Sequence, residues 1–228
     1  MARIHTLSLI LAFTALAHAG AASAAEDIVR TNGAVATTAG AEYGRLVTTN
    51  GSIRLADGVT AGRTSTTNGS ITAANDVSSG RMETVNGSIR IGERVRVEDS
   101  VETVNGSILV GRGGEIGGDV KTVNGAIGLI ATRVGGDVTI ANGDLTVGVD
   151  SHVRGGVRVH KPSANWMPIR ISQRRQRVII GPGAVVDGPL EFEREVVLYV
   201  HDSARIGEVT GATPVRYSTP TAPSRGDD

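Results

Sequence analysis

The 228-residue chain balances 23 basic against 23 acidic residues, so no global field draws it to nucleic acid or to an anionic membrane. Its length and 39% hydrophobic content suit one globular domain, but Phe, Trp and Tyr make only 3% of residues against 31 glycines, which excludes a large aromatic core. The absence of cysteine excludes disulfides and an acylated lipoprotein anchor, leaving an inventory of Val, Ile, Leu, Thr, Ala and Gly that suits thin repeated β layers.

Residues 1–25 have the form of a secretory signal. Arg3 supplies the positive end, residues 7–16 the apolar run, and Ala22-Ser23-Ala24 the small-residue cleavage pattern. The apolar run is shorter than the roughly 20 residues that a spanning helix needs. The expectation is an exported protein, periplasmic or at the cell surface, that is not integral to the membrane after cleavage.

From residue 26 to 160 the chain repeats. Asn-Gly pairs stand at Asn32, Asn50, Asn68, Asn86, Asn105, Asn124 and Asn142, at successive intervals of 18, 18, 18, 19, 19 and 18 residues. The phrase Thr-Val-Asn-Gly-Ser-Ile occurs identically at residues 84–89 and 103–108. Apolar or small residues alternate on both sides of each pair. Around Asn86, for instance, Met82 and Thr84 precede and Ile89 and Ile91 follow. Period-two alternation is strand patterning. Asn-Gly is also the commonest hairpin dipeptide, so an up-and-down barrel is the rival reading. Glycines between the pairs, among them Gly92, Gly111, Gly117 and Gly135, would interrupt the long strands of a barrel. Several corners per period instead predict an all-β fold: a single-stranded parallel β-solenoid, or β-helix, with about 18 residues per coil. Two or three short strands per coil, and seven coils plus a cap at about 4.8 Å each, predict a rod near 40 Å long.

In this frame the seven asparagines form a structural ladder. Counting back in twos from Asn124 through Thr122 to Val120 predicts an inward amide, with Gly125 left-handed at the corner. Threonines 48, 66, 84, 103 and 122 are candidates for a second ladder.

After Asn142 the corner phrase ends. Residues 161–177 form an irregular basic insertion containing Trp166, Arg174, Arg175 and Arg177, the candidate partner-binding residues. Their arginines have two possible destinations: an acidic glycan or lipid headgroup, or the acidic stretch at residues 191–195. Regular patterning resumes over residues 178–211, read as terminal capping coils. Residues 212–228, rich in Pro, Ser and Thr, read as a flexible tail, and their Arg225-Gly226-Asp227 matches a cell-adhesion tripeptide at chance frequency.

Catalytic signatures are missing: no G-x-S-x-G elbow, no Walker loop and no H-E-x-x-H helix. His152, His160 and His201 are scattered. Asp119 and Asp137, in matching Gly-Gly-Asp-Val phrases, stack one coil apart, but the G-G-x-G-x-D spacing of calcium-binding rolls is absent. The expectation is no enzyme, no cofactor and no metal.

The Thr-Val-Asn-Gly-Ser-Ile phrase, recurring in variants from Asn50 to Asn124, resembles the bacterial adhesin family of β-solenoid proteins. Gly118-Asp119-Val120 and Gly136-Asp137-Val138, with residues 178–186, are similar to bactofilins, the polymer-forming β-helices. The resemblance covers roughly residues 28–210. It implies an adhesin-like scaffold with a cell-envelope protein or glycan as partner, or a homo-oligomer built by end-to-end stacking of coils. Residues 180–185 faintly resemble the hexapeptide phrase of left-handed β-helix acyltransferases.

Overall fold

The computed structural model describes residues 25–161 and 175–224. Residues 1–24, Trp166, Arg174 and the Arg-Gly-Asp tail lie outside the described residues. The described chain is a parallel β-solenoid, strands and turns without a helix. One sheet contributes ten strands, one per coil, from Val35–Ala36 through Ile53–Leu55, Ile71–Ala73 and onward to Pro214–Tyr217. Nine spacings at about 4.8 Å give a stack about 43 Å tall, three coils more than the Asn-Gly count implies.

The core is a set of columns. Ile53, Ile71, Ile89, Ile108, Ile127 and Leu145 lie in register on one wall. Leu46, Thr64, Met82, Val101, Val120 and Val138 do so on the other. All of these side chains are buried. Each large aliphatic residue contributes roughly 1.5–3 kcal/mol of transfer free energy. Parallel stacking places like above like, and small β-branched residues tile such a column without large aromatics.

The shift from 18 to 19 residues per coil has a structural cause. Glu42–Asn50, Thr60–Asn68 and Ser78–Asn86 are single long strands. In the next coil the equivalent side breaks in two. Arg96–Val97 pairs with Ser78 and Ser79, an offset of 96 − 78 = 18, whereas Val101–Asn105 pairs with Met82 to Asn86, an offset of 101 − 82 = 19. One added residue in Glu98-Asp99-Ser100 interrupts the strand at the point where Gly80-Arg81 continues it, and the alternation of buried residues already breaks at Gly80-Arg81. Gly117-Gly118-Asp119 and Gly135-Gly136-Asp137 occupy the same position above it. A Cβ on Gly117 or Gly135 would sit 2.1 or 2.3 Å from a carbonyl oxygen of the coil below, which explains the glycine there.

The two ends differ. Glu26–Asn32 pairs only with Glu42–Asn50 among the described strands, and Val29 is 61% exposed. At the far end Pro214–Tyr217 pairs with Leu198–His201, inside the segment that composition had assigned to the tail. Pro214 lacks an amide donor, which blunts that edge. Tyr217 packs edge-on against Tyr199 with ring centroids 6.5 Å apart, and burial raises its phenol pKa.

Candidate interaction face

Each residue of the repeated phrase now has a physical role. Its threonine is buried and donates from Oγ1 to the glycine carbonyl of the preceding coil: Thr48 to Gly33, Thr66 to Gly51, Thr84 to Gly69, Thr103 to Gly87 and Thr122 to Gly106, at 2.8–3.1 Å. The threonines therefore form a ladder with the backbone and not with one another. The asparagine ladder is continuous. Each Nδ2 donates to Oδ1 of the asparagine one coil earlier, from Asn50 on Asn32 to Asn142 on Asn124, at 2.8–3.0 Å. Arg194 ends it by donating to Asn142 Oδ1 at 2.9 Å.

The inward placement of these amides is corrected. Asn32, Asn50, Asn68, Asn86, Asn105 and Asn124 are exposed and Asn142 is half-buried. Counting in twos holds only while a strand runs straight, and at the asparagine the chain has begun its corner, so two successive residues face outward. The following glycine is required mainly by close approach. A Cβ on Gly51, Gly69, Gly87 or Gly106 would stand 1.9–2.1 Å from the carbonyl oxygen of the glycine beneath, whereas a positive φ applies only at Gly33, Gly125 and Gly143 of this column. The serine hydroxyl accepts the next coil's amide, as when Ser88 N donates to Ser70 Oγ at 3.3 Å.

The remaining member, the valine, faces solvent. Val85, Val104 and Val123 are 41%, 40% and 45% exposed, in line with Thr49, Thr67 and Ala141. Beside this column run Ser65, Glu83, Glu102, Lys121 and Thr139, also one per coil. The two columns line a groove of about 760 Å³ that spans seven coils, from Val47 to His160, or about 29 Å at the coil spacing. Sequence reasoning followed the inward positions and missed this face. The available signal was an apolar residue recurring at an outward position.

Charges along the groove are neutralised locally. Arg63 pairs with Glu83, and Arg81 bridges Glu83 at 3.2 Å and Glu102 at 2.8 Å. Lys121 lies 2.7 Å from Asp119. Desolvation pushes the Asp119 carboxyl up, but Lys121 and the Asp137 amide outweigh it and hold it below the usual range. Asp119 and Asp137 are stacked as expected. Oδ1 of each accepts the amide of the next coil, Asp137 N or Gly156 N, at 2.7 Å, and their other oxygens meet Lys121 and Arg158. These carboxylates thus act as corner staples.

The three histidines do not converge. His152 meets Asp187 at 2.7 Å, His160 meets Glu193 at 3.0 Å, and His201 meets Ser203 at 2.8 Å. Glu193 is held below the ordinary carboxylate range by the Lys161 amide and then by His160. Of the candidate partner-binding arginines, Arg175 pairs with Glu195 at 3.0 Å, and Arg177 lies over the Tyr199 ring at 5.1 Å and donates to the Pro223 carbonyl. All three contacts are internal. Among the described residues no group of three or more His, Cys, Asp or Glu side chains could hold a metal ion.

Fold and face together define a parallel β-solenoid with an asparagine ladder and one long outward groove. No known protein family, characterised protein or solved structure matches the chain.

Proposed function

We propose that the protein is an exported, non-enzymatic, adhesin-like scaffold that presents a rigid solenoid face to a partner in the cell envelope or at the cell surface. The observation that carries this reading is the groove. Its outward columns stand on three ladders, of threonine, asparagine and serine, so the exposed valines are held at a fixed repeat. Rigid presentation lowers the ordering cost of binding. Support for the non-enzymatic role comes from the histidines, which are each engaged with a separate neighbour, and from the missing catalytic signatures. The signal segment supports export, and no helix among the described residues is long and apolar enough to cross a membrane.

The test is fractionation with crosslinking in the producing cell. A chain that begins just after residue 24 or 25 and crosslinks to an envelope component through the groove is expected. A freely soluble species with no envelope partner would refute the scaffold reading.

A second reading, end-to-end self-assembly of the bactofilin type, is favoured by the first strand, Glu26–Asn32, which pairs on one side only among the described residues. Sedimentation that is independent of concentration would remove it. The acyltransferase reading has no comparable support.

A further inference from the structure

We infer that the groove binds a linear, uncharged glycan laid along the stack axis, at one sugar per coil; the inference rests on the reading of the solenoid as a partner-presenting scaffold. The groove repeats its chemistry at each coil, about every 4.8 Å, with one outward column of Val85, Val104 and Val123 and one of Glu83, Glu102 and Lys121. Such a surface rewards a ligand with a matching repeat. A linear glycan of extended β-1,4-linked pyranoses advances by close to one coil spacing per sugar and turns over at each link, so the same ring face returns at every second coil and stays in step with the stack. An extended polypeptide sets same-side residues about 6.6 Å apart, so it falls out of step within a few coils. The groove also exposes the side-chain face of the sheet and not its edge, so a peptide gains no ladder of main-chain hydrogen bonds.

A second copy of the chain does not fit this face. A strip about 29 Å by about 10 Å covers about 300 Å², below the roughly 800 Å² per partner of a stable interface. The chemistry fits sugars at both columns. Valine methyls meet the C–H faces of the rings, while the carboxylates and the Thr139 hydroxyl meet ring hydroxyls. The neighbouring asparagine column retains capacity, since each amide uses one N–H and one lone pair in the ladder. Arg63 with Glu83, Arg81 with Glu102, Lys121 with Asp119 and Lys161 beside Glu193 balance the charges along the groove and leave no net field to select a charged chain. The lining holds no Phe, Tyr or Trp ring, so each sugar is held weakly and affinity accumulates with length.

The test is calorimetric titration of the exported chain with cello- and chito-oligosaccharides of increasing length. Affinity is expected to rise with each sugar and to level off at about six or seven, the number that fills about 29 Å at the coil spacing. Val104→Asp, at an exposed position, is expected to keep the circular dichroism and melting temperature of the parent and to weaken binding at least about tenfold. Leu109→Asp, also exposed but outside the groove, is expected to leave binding unchanged. The inference is overturned if neither series binds saturably at millimolar concentration, or if Val104→Asp binds like the parent. Preference for a polygalacturonate or for an extended Val/Thr decapeptide overturns it equally. Envelope crosslinking that survives such a failure removes only the ligand class, whereas loss of both removes the scaffold reading as well.

Discussion

Replacing Gly87 with alanine tests the stacking argument where it is most demanding. The new Cβ would lie 1.9 Å from the Gly69 carbonyl oxygen, 2.5 Å from its carbon and 3.0 Å from Ser70 N, all backbone atoms of the coil below. Since Cβ contacts under 3.0 Å essentially do not occur, the two coils must part locally by 3.0 − 1.9 = 1.1 Å or more. Besides the backbone ladder, three hydrogen bonds that involve a side chain cross that seam beside the corner. They are Thr84 Oγ1 to Gly69 O at 2.9 Å, Asn86 Nδ2 to Asn68 Oδ1 at 2.8 Å and Ser88 N to Ser70 Oγ at 3.3 Å. Stretched by that amount, each exceeds hydrogen-bonding distance. Their loss at about 1 kcal/mol each, with overpacking strain of about 1–3 kcal/mol, predicts a destabilisation of about 4–6 kcal/mol. Gly40→Ala is the internal control. Its φ is +69° but its Cβ would meet nothing within 4 Å, so only the left-handed penalty of about 1–2 kcal/mol applies. Urea unfolding of both variants, with amide exchange to locate the loosened coils, measures the difference. If Gly87→Ala costs no more than Gly40→Ala, close approach between coils is not the reason for the glycine.

Thr84→Val keeps the shape of a buried side chain and removes its bond to Gly69, so a loss of about 1 kcal/mol is expected from denaturant midpoints. Asn105→Ala breaks the ladder in both directions and is expected to cost about 1–2 kcal/mol, with faster amide exchange in the adjoining coils. Arg194→Met removes the donor that ends the ladder at Asn142, and its effect should be confined to exchange near Ala141 and Asn142. Asp27 and Glu193, like Asp119, have lowered pKa values, Asp27 through the Arg45 amide first. A carboxylate with a depressed folded pKa lends stability that is present above its unfolded value, about 3.9–4.3, and is lost as pH falls through the folded value. The melting temperature should therefore be steady from neutral pH to about 5 and fall below about 4. A decline complete above pH 5 would contradict that assignment.

The solenoid was legible because its signal is redundant. An Asn-Gly interval repeated six times, with period-two alternation around it, leaves few alternatives to stacked parallel coils. The asparagine ladder followed from that register, since equal spacing places each amide above the last. Its orientation did not follow, because alternation describes a straight strand and the chain is already turning at Asn86 or Asn105. The threonines were also placed correctly inside, but their partner, a glycine carbonyl of the previous coil, depends on how far apart two corners sit in space.

Local patterns and composition were thus enough to settle the architecture and the buried column-forming residues, since these follow from strand alternation and a constant repeat. Tertiary structure alone decided three further things. It showed that one extra residue at Glu98-Asp99-Ser100 splits a strand that is continuous in the coil before it. It carried the stack through Pro214–Tyr217, where composition is tail-like but Leu198–His201 offers an edge to pair with. It also revealed that Val85, Val104 and Val123 form one groove, because residues separated by 19 positions become neighbours only once the coils are stacked in register.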